Sequence, residues 1–160
     1  MSEPAQPQQS PGAGAPVIGS ADPYRGYNFK VTVLGSVSRF VSCGGIGMSI
    51  PPVLYKEGGQ NSTVRHLPGA VRLHPVTLRY GLTSSPAMWQ WMKSGMDGRV
   101  QRQTVSVVQL ADDGYTEVLH YDLVDAWVSE WHAAPLDALG TEIAIETLVV
   151  VYDSINRQQG

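Results

Sequence analysis

The chain has 160 residues, 42% of them hydrophobic and 16% charged. That length suits one domain around one core, and the charged share, below the roughly 25% usual for soluble proteins, implies that partners cover part of the surface. A net charge of −3 with no cluster of Lys or Arg leaves no electrostatic footprint for nucleic acid. The single cysteine, Cys43, excludes an intrachain disulfide. No apolar run approaches the roughly 20 residues of a membrane helix, and the first residues lack the basic and apolar regions of a signal peptide, so synthesis in a reducing cytoplasm is expected.

Residues 1–21 are dominated by Pro, Gln, Ala, Gly and Ser, too little apolar area to offset the entropy of ordering. They are expected to form a flexible arm, followed by one domain over residues 22–155 and a short tail over 156–160. From Tyr24 onward, short runs of Val, Ile, Leu, Tyr and Thr are divided by Gly, Pro and Asp turns, which predicts a mainly β domain. Phe29, Val31 and Val33 alternate with Lys30 and Thr32, as do Val76, Leu78, Tyr80 and Leu82 with Thr77 and Arg79, so each run places its apolar side chains on one strand face. Gly44-Gly45-Ile46-Gly47 fits neither phosphate-binding glycine pattern and reads as a bulge or sharp bend.

One helix is expected after these strands, with Ser84 or Ser85 as cap, Pro86 in its first turn, Gly95 at its end, and Met88, Trp91 and Met92 on one face. Asp113-Gly114 predicts an antiparallel hairpin between strands near Val105–Leu110 and Thr116–Trp127. Leu119, Tyr121, Leu123, Trp127 and Trp131 share one parity, which Asp125 and Ser129 interrupt, as a bulge or a partly polar interface would. A last strand is expected from about Thr141 to Tyr152, with Glu142 and Glu146 on one face and an end apolar on both faces from Leu148 to Val151.

Little in the chain points to covalent chemistry. The histidines His66, His74, His120 and His132 lack zinc-motif spacing, and Cys43 has no CxxC partner. Cys43 reads as a small buried hydrophobe rather than a nucleophile. Asp112-Asp113 belongs to a turn, while Glu142 and Glu146 point either into a channel or toward a neighbouring subunit. Trp89 and Trp91 point to different sides of the helix and suit packing or an interface. The reading at this point is a β-rich domain that assembles. Its rivals are a monomeric β-barrel binding a ligand or carbohydrate through Trp127 and Trp131, and an enzyme using Cys43.

Several segments, in order, resemble the T4-like tail tube protein family, which includes inner tube proteins of extracellular contractile injection systems. Asp22-Pro23-Tyr24-Arg25-Gly26-Tyr27-Asn28-Phe29 resembles that family's lead-in to its first strand. Tyr55-Lys56-Glu57-Gly58-Gly59-Gln60-Asn61, followed by Arg65-His66-Leu67-Pro68-Gly69, is similar to its long loop. Val76 to Thr83 with Trp89 and Trp91, then Ala126-Trp127, Trp131, Pro135-Leu136-Asp137-Ala138 and Glu142 to Leu148, resemble its later segments. The resemblance spans roughly Asp22 to Asp153.

It implies an antiparallel β-barrel or sandwich with one short flanking helix, assembling into hexameric rings that stack head to tail. The implied function is that of an inner tube subunit of a contractile injection system or contractile phage tail, with no catalytic residue, metal or cofactor. Implied partners are further copies of the chain, a contractile sheath protein, baseplate or hub and tube-terminating proteins, and cargo in the lumen, an effector protein or, for a phage, DNA. No membrane anchor is expected, and assembly is expected in the bacterial cytoplasm. Tyr55, Lys56, Glu57, Gly58, Gly59, Asn61, Arg65, Leu67 and Pro68 are the expected ring-stacking or subunit-interface residues.

Overall fold

The computed structural model of the chain describes residues 24–38, 40–56, 64–82 and 84–159. The arm expected over residues 1–21 lies outside them. The barrel strands are β1 (Phe29–Val33), β2 (Ser36–Ser38), β3 (Phe40–Gly44), β8 (Val76–Gly81), β9 (Gln103–Leu110), β10 (Glu117–His132), β11 (Ile145–Val151) and β12 (Ser154–Gln159). Between them run four short strands, β4 (Met48–Ser49), β5 (Pro52–Tyr55), β6 (Arg65–Pro68) and β7 (Arg72–Leu73), and one helix, α1 (Ala87–Met96).

All the pairings are antiparallel, in the order β2-β1-β9-β10-β11-β8-β3, with β12 added to the first half of β10. The path divides at β10 into two halves, β2-β1-β9 with the first half of β10 and the second half of β10 with β11-β8-β3, whose inner faces share one core in a barrel-like sandwich. Among the described residues of the single chain, β2, β3 and β12 each have one paired neighbour, so each presents a free edge.

The strand β10 turns the corner between the two halves. Its first half pairs with β9 and β12, its second half with β11, and the register shifts between Leu123 and Ala126 and again between Val128 and Glu130. Asp125, at φ 55°, occupies the first irregularity, a left-handed conformation that aspartate tolerates better than most residues. Each irregularity reverses which parity faces inward. Leu123 is fully buried, then Ala126 and Val128, and then Trp131 packs on the core. Asp125 and Ser129 therefore mark the corner, and Trp127 lies on the face opposite Ala126 and Val128 rather than with Leu123.

The core consists chiefly of β-branched side chains on the inner faces. Val31, Val33, Val76, Val105, Val107 and Val150 are buried together with Leu78, Leu123 and Leu148. Val31, Val33, Val76, Leu78 and Tyr80 follow the predicted alternation, while Leu82 falls past the end of β8 and is exposed. The helix lays Trp91 into this core with Met88 and Met92 beside it, and the Trp91 indole N–H donates to the Gln101 carbonyl at 2.8 Å.

The ends of the helix differ from expectation. Pro86 occupies the N-cap and no side-chain hydrogen bond caps that end, so neither Ser84 nor Ser85 fills the role. Gly95 lies inside the helix. The stop is Gly98, at φ +72°, whose N–H donates to the Gly95 carbonyl at 3.1 Å while Arg99 N–H donates to Ser94 at 2.8 Å. That pair of bonds is the Schellman closure, which calls for a glycine in the left-handed region.

The hairpin at Asp113-Gly114 is present, with a wider loop than a two-residue turn: Ala111 N–H donates to the Thr116 carbonyl at 2.8 Å. Asp113 organises it by accepting from the Tyr115 and Thr116 N–H groups and the Thr116 hydroxyl. These bonds hold the Asp113 carboxyl below its ordinary value, the Thr116 hydroxyl contributing most. The last expected strand starts at Ile145 rather than Thr141, which leaves Glu142 in the preceding loop, apart from Glu146. Across the domain end expected at 155, Ser154–Gln159 forms β12 and pairs with Leu119–Val124.

Candidate assembly surface

Between β3 and β8 the chain leaves the barrel. Gly45, at φ +91°, makes the sharp bend expected of the glycine run, and a Cβ there would lie 2.5 Å from the Pro75 carbonyl oxygen. The two chain segments then run side by side. His74 N–H donates to the Gly47 carbonyl at 2.9 Å, β4 pairs with β7, Gly69 N–H donates to the Pro51 carbonyl at 3.0 Å, and β5 pairs with β6. Gly69 is a second obligatory glycine, since a Cβ would sit 2.5 Å from the Pro51 oxygen. From Gly47 to Lys56 this ribbon reaches roughly 30 Å at about 3.3 Å per residue.

The foot of the ribbon is tied to the barrel, its outer part is not. Ile46 and Leu73 pack against the core, and the Tyr152 hydroxyl donates to the Gly47 carbonyl. Every residue of β5 and β6, by contrast, is exposed, on both faces. Val53, Leu54, Tyr55 and Leu67 are between 45% and 66% exposed, although a two-stranded hairpin is marginal in water by itself and apolar patches of this kind mark surfaces that partners cover. Pro52 and Pro68 sit opposite each other, and neither can donate to an added strand.

Of the interface residues expected from the sequence, the structure brings Tyr55 opposite Arg65, places Leu67 opposite Val53 and Pro68 opposite Pro52, and leaves Lys56 exposed just beyond β5. Glu57, Gly58, Gly59 and Asn61 lie outside the described residues. A second exposed apolar region escaped the sequence reading. The connection from β10 to β11 leaves Leu136, Leu139 and Ile143 at 79% exposure or more; as isolated aliphatic residues in a loop, they carry no periodic signal.

The residues weighed for chemistry do not converge. Cys43 is half-buried beside Leu78, and burial pushes its thiol up to about 11, away from a reactive thiolate. His120 contacts Asp122 at 2.9 Å, His132 contacts Glu130 at 3.4 Å and His74 contacts Ser49 at 3.1 Å. Among the described residues, no group of three or more His, Cys, Asp or Glu is placed to hold a metal ion. Trp131 meets Trp89 edge to face at 4.9 Å instead of joining Trp127, so the aromatic pair that a ligand-binding barrel would use is not assembled.

An antiparallel β domain with one packed helix and an uncovered ribbon arm has the form of a structural β protein rather than that of an enzyme. A sequence-family match gives that class a name: residues 25–156 match the T4-like virus tail tube protein gp19 family. The chain belongs to that family and is a structural tube subunit. Among solved structures it is similar at TM-score 0.80 to a chain of the anti-feeding prophage cap, a tube-terminating cap, at 21% identity over 89% of this chain and 95% of that one. It is similar at TM-score 0.78 to a chain of the extended sheath-tube complex of an extracellular contractile injection system, at 22% identity over 86% and 93%. Hcp1 from Flavobacterium johnsoniae follows at TM-score 0.59 and 16% identity over 82% and 95%. Among curated proteins, none matches the chain.

Proposed function

We propose that the chain is the inner tube subunit of a contractile injection system, or of a contractile phage tail, assembling as hexameric rings that stack head to tail around a lumen. The observation that carries this reading is the ribbon arm, exposed on both faces and held out from a barrel that is otherwise well packed. An arm reaching from one subunit to a different surface on the next makes a heterologous contact, and stacking of that kind propagates into a filament. Tyr55, Lys56, Arg65, Leu67 and Pro68 would meet the adjacent ring, together with Glu57, Gly58, Gly59 and Asn61.

Similar solved structures include a sheath-tube complex, a tube-terminating cap and a six-fold symmetrised baseplate, which supports a contractile sheath, a baseplate and a terminator as partners here. Sheath contraction would drive the assembled tube into a target envelope with an effector protein, or DNA, in its lumen. The subunit's task is stiffness and smooth passage rather than covalent chemistry, and assembly takes place in the bacterial cytoplasm. Among the described residues, no helix is long and apolar enough to cross a membrane. The injection-system branch is favoured over the phage by the Asp22 to Tyr27 and Tyr55 to Gly59 segments; genome neighbours decide it, an AAA ATPase without capsid genes for the former, capsid and terminase genes for the latter.

Size-exclusion chromatography with light scattering, followed by negative-stain electron microscopy over a range of concentrations, tests the reading. Rings or stacked tubes with a central hole are expected. A monodisperse monomer at every concentration, with baseplate components present as nucleus, would contradict it.

A further inference from the structure

At one end of the barrel, beside the start of α1, Tyr80, Leu82, Pro86, Trp89, Trp131 and Glu146 line an open cavity of about 400 Å³. Register brings its polar part together: Glu146 on β11 lies directly opposite Tyr80 on β8, and the Tyr80 hydroxyl donates to Glu146 Oε2. Burial, then the Glu146 carboxylate, push the Tyr80 hydroxyl's pKa well up. The Trp131 indole N–H is buried without a hydrogen bond of ordinary geometry, yet it lies close enough to the Tyr80 oxygen to oppose part of that rise. The hydroxyl therefore stays protonated and holds one oxygen of Glu146 in place.

The other side of this carboxylate is uncompensated. Glu146 is half-buried in a cavity that Trp89 and Trp131 also line, and the ion pairs among the described residues join other groups. A half-buried carboxylate outside every one of those ion pairs suits a cation, and indole faces attract cations as well, most strongly when water is excluded. The rim favours a protein as the source. Leu82 N–H is bonded to the Ala144 carbonyl at 2.9 Å, which joins the pocket to the loop carrying the uncovered Leu136, Leu139 and Ile143. The chain itself carries suitable groups, for Arg72, Arg79, Lys93 and Arg99 are exposed and belong to none of those ion pairs.

We propose that this pocket is a socket for a basic side chain, arginine or lysine, of a second copy of the chain, with Trp89 and Trp131 flanking the stem and Glu146 pairing the charge. The proposal rests on the tube reading. It makes one subunit contact dependent on a single charge pair, in addition to the apolar area of the arm.

The test compares ring and tube formation by full-length wild type, Glu146→Gln and Trp89→Ala at low and high salt, with circular dichroism and thermal unfolding of each unassembled subunit. Glu146→Gln keeps an acceptor for Tyr80. It is expected to fold as wild type does, to need at least tenfold more protein to assemble at low salt, and to lose most of the salt dependence. Exchanging charges, Glu146→Arg combined with Arg72→Glu, Arg79→Glu, Lys93→Glu or Arg99→Glu, is expected to restore assembly in one combination. Assembly of Glu146→Gln at the wild-type concentration and salt dependence would overturn the socket while leaving the tube reading intact. Should Glu146→Gln unfold, exposed Trp89 decides: normal assembly of Trp89→Ala overturns the proposal, and assembly weakened at least severalfold supports it. Wild type that forms no ring at all removes the tube reading and the socket with it.

Discussion

The barrel and the arm are built from similar residues and reach opposite ends. In the barrel, Val31, Leu78 and Val105 alternate with polar neighbours and, like Val76 and Leu148, lose all contact with water, and burial of each such side chain contributes on the order of 1.5–3 kcal/mol. In the arm, Val53, Leu54 and Leu67 stand on a hairpin with no third layer, so the same kind of side chain stays wet. What separates the two is topology rather than composition. The barrel strands fold over one core through the Asp125 corner, whereas Gly45 turns the chain outward into a ribbon whose strands pair only with each other. On the tube reading proposed above, the barrel holds its own core while the outer arm would be completed by another subunit.

The largest expected break in this comparison is Leu148→Ala. Leu148 faces Leu78 across the β11–β8 pair and both are fully buried, so the truncation should cost about 2–5 kcal/mol in urea unfolding of the unassembled subunit. The triple change Val53→Ser, Leu54→Ser, Leu67→Ser should shift that same unfolding by only about 0.5 kcal/mol per site or less, while abolishing tube formation in the electron microscope.

Gly45→Ala acts at the joint. Its Cβ would meet a backbone oxygen in a conformation side chains avoid, so a loss of about 1–3 kcal/mol is expected, together with defective assembly because the arm leaves at a different angle. Gly98→Ala lies outside both regions and should cost about 1 kcal/mol through the helix stop alone, with assembly intact. The smallest effect is Asp113→Asn. The Asp113 carboxyl is held below its ordinary value, so its stabilisation is present above the unfolded value and fades as pH falls through the folded one. Its loss should be slight at neutral pH and vanish in strong acid, as thermal midpoints across pH would show.

Much of this contrast was legible in the chain. The alternation of Val31 with Val33 and of Val76 with Leu78 announces half-buried strands, Met88, Trp91 and Met92 announce the helix face, and Asp125 and Ser129 mark the corner of β10. Other features needed three dimensions. The sequence points to Gly95 for the helix stop, and only the backbone bonds of Gly98 and Arg99 place it at Gly98. The strand Ser154–Gln159 is rich in polar residues and finds its place because β10 offers an edge at Leu119–Val124. Tyr80 and Glu146, 66 residues apart, meet through the register of β8 with β11, which no local pattern encodes.

Hydrogen–deuterium exchange, read before and after assembly, tests the central claim most directly. Amides of Leu78, Leu123 and Leu148 should be protected in both states, whereas those of Leu54, Tyr55, His66 and Leu67 should exchange almost freely in the single subunit and become protected in the tube. Arm amides that are as slow as the core in the free subunit, or that stay fast in assembled tubes, would contradict the account.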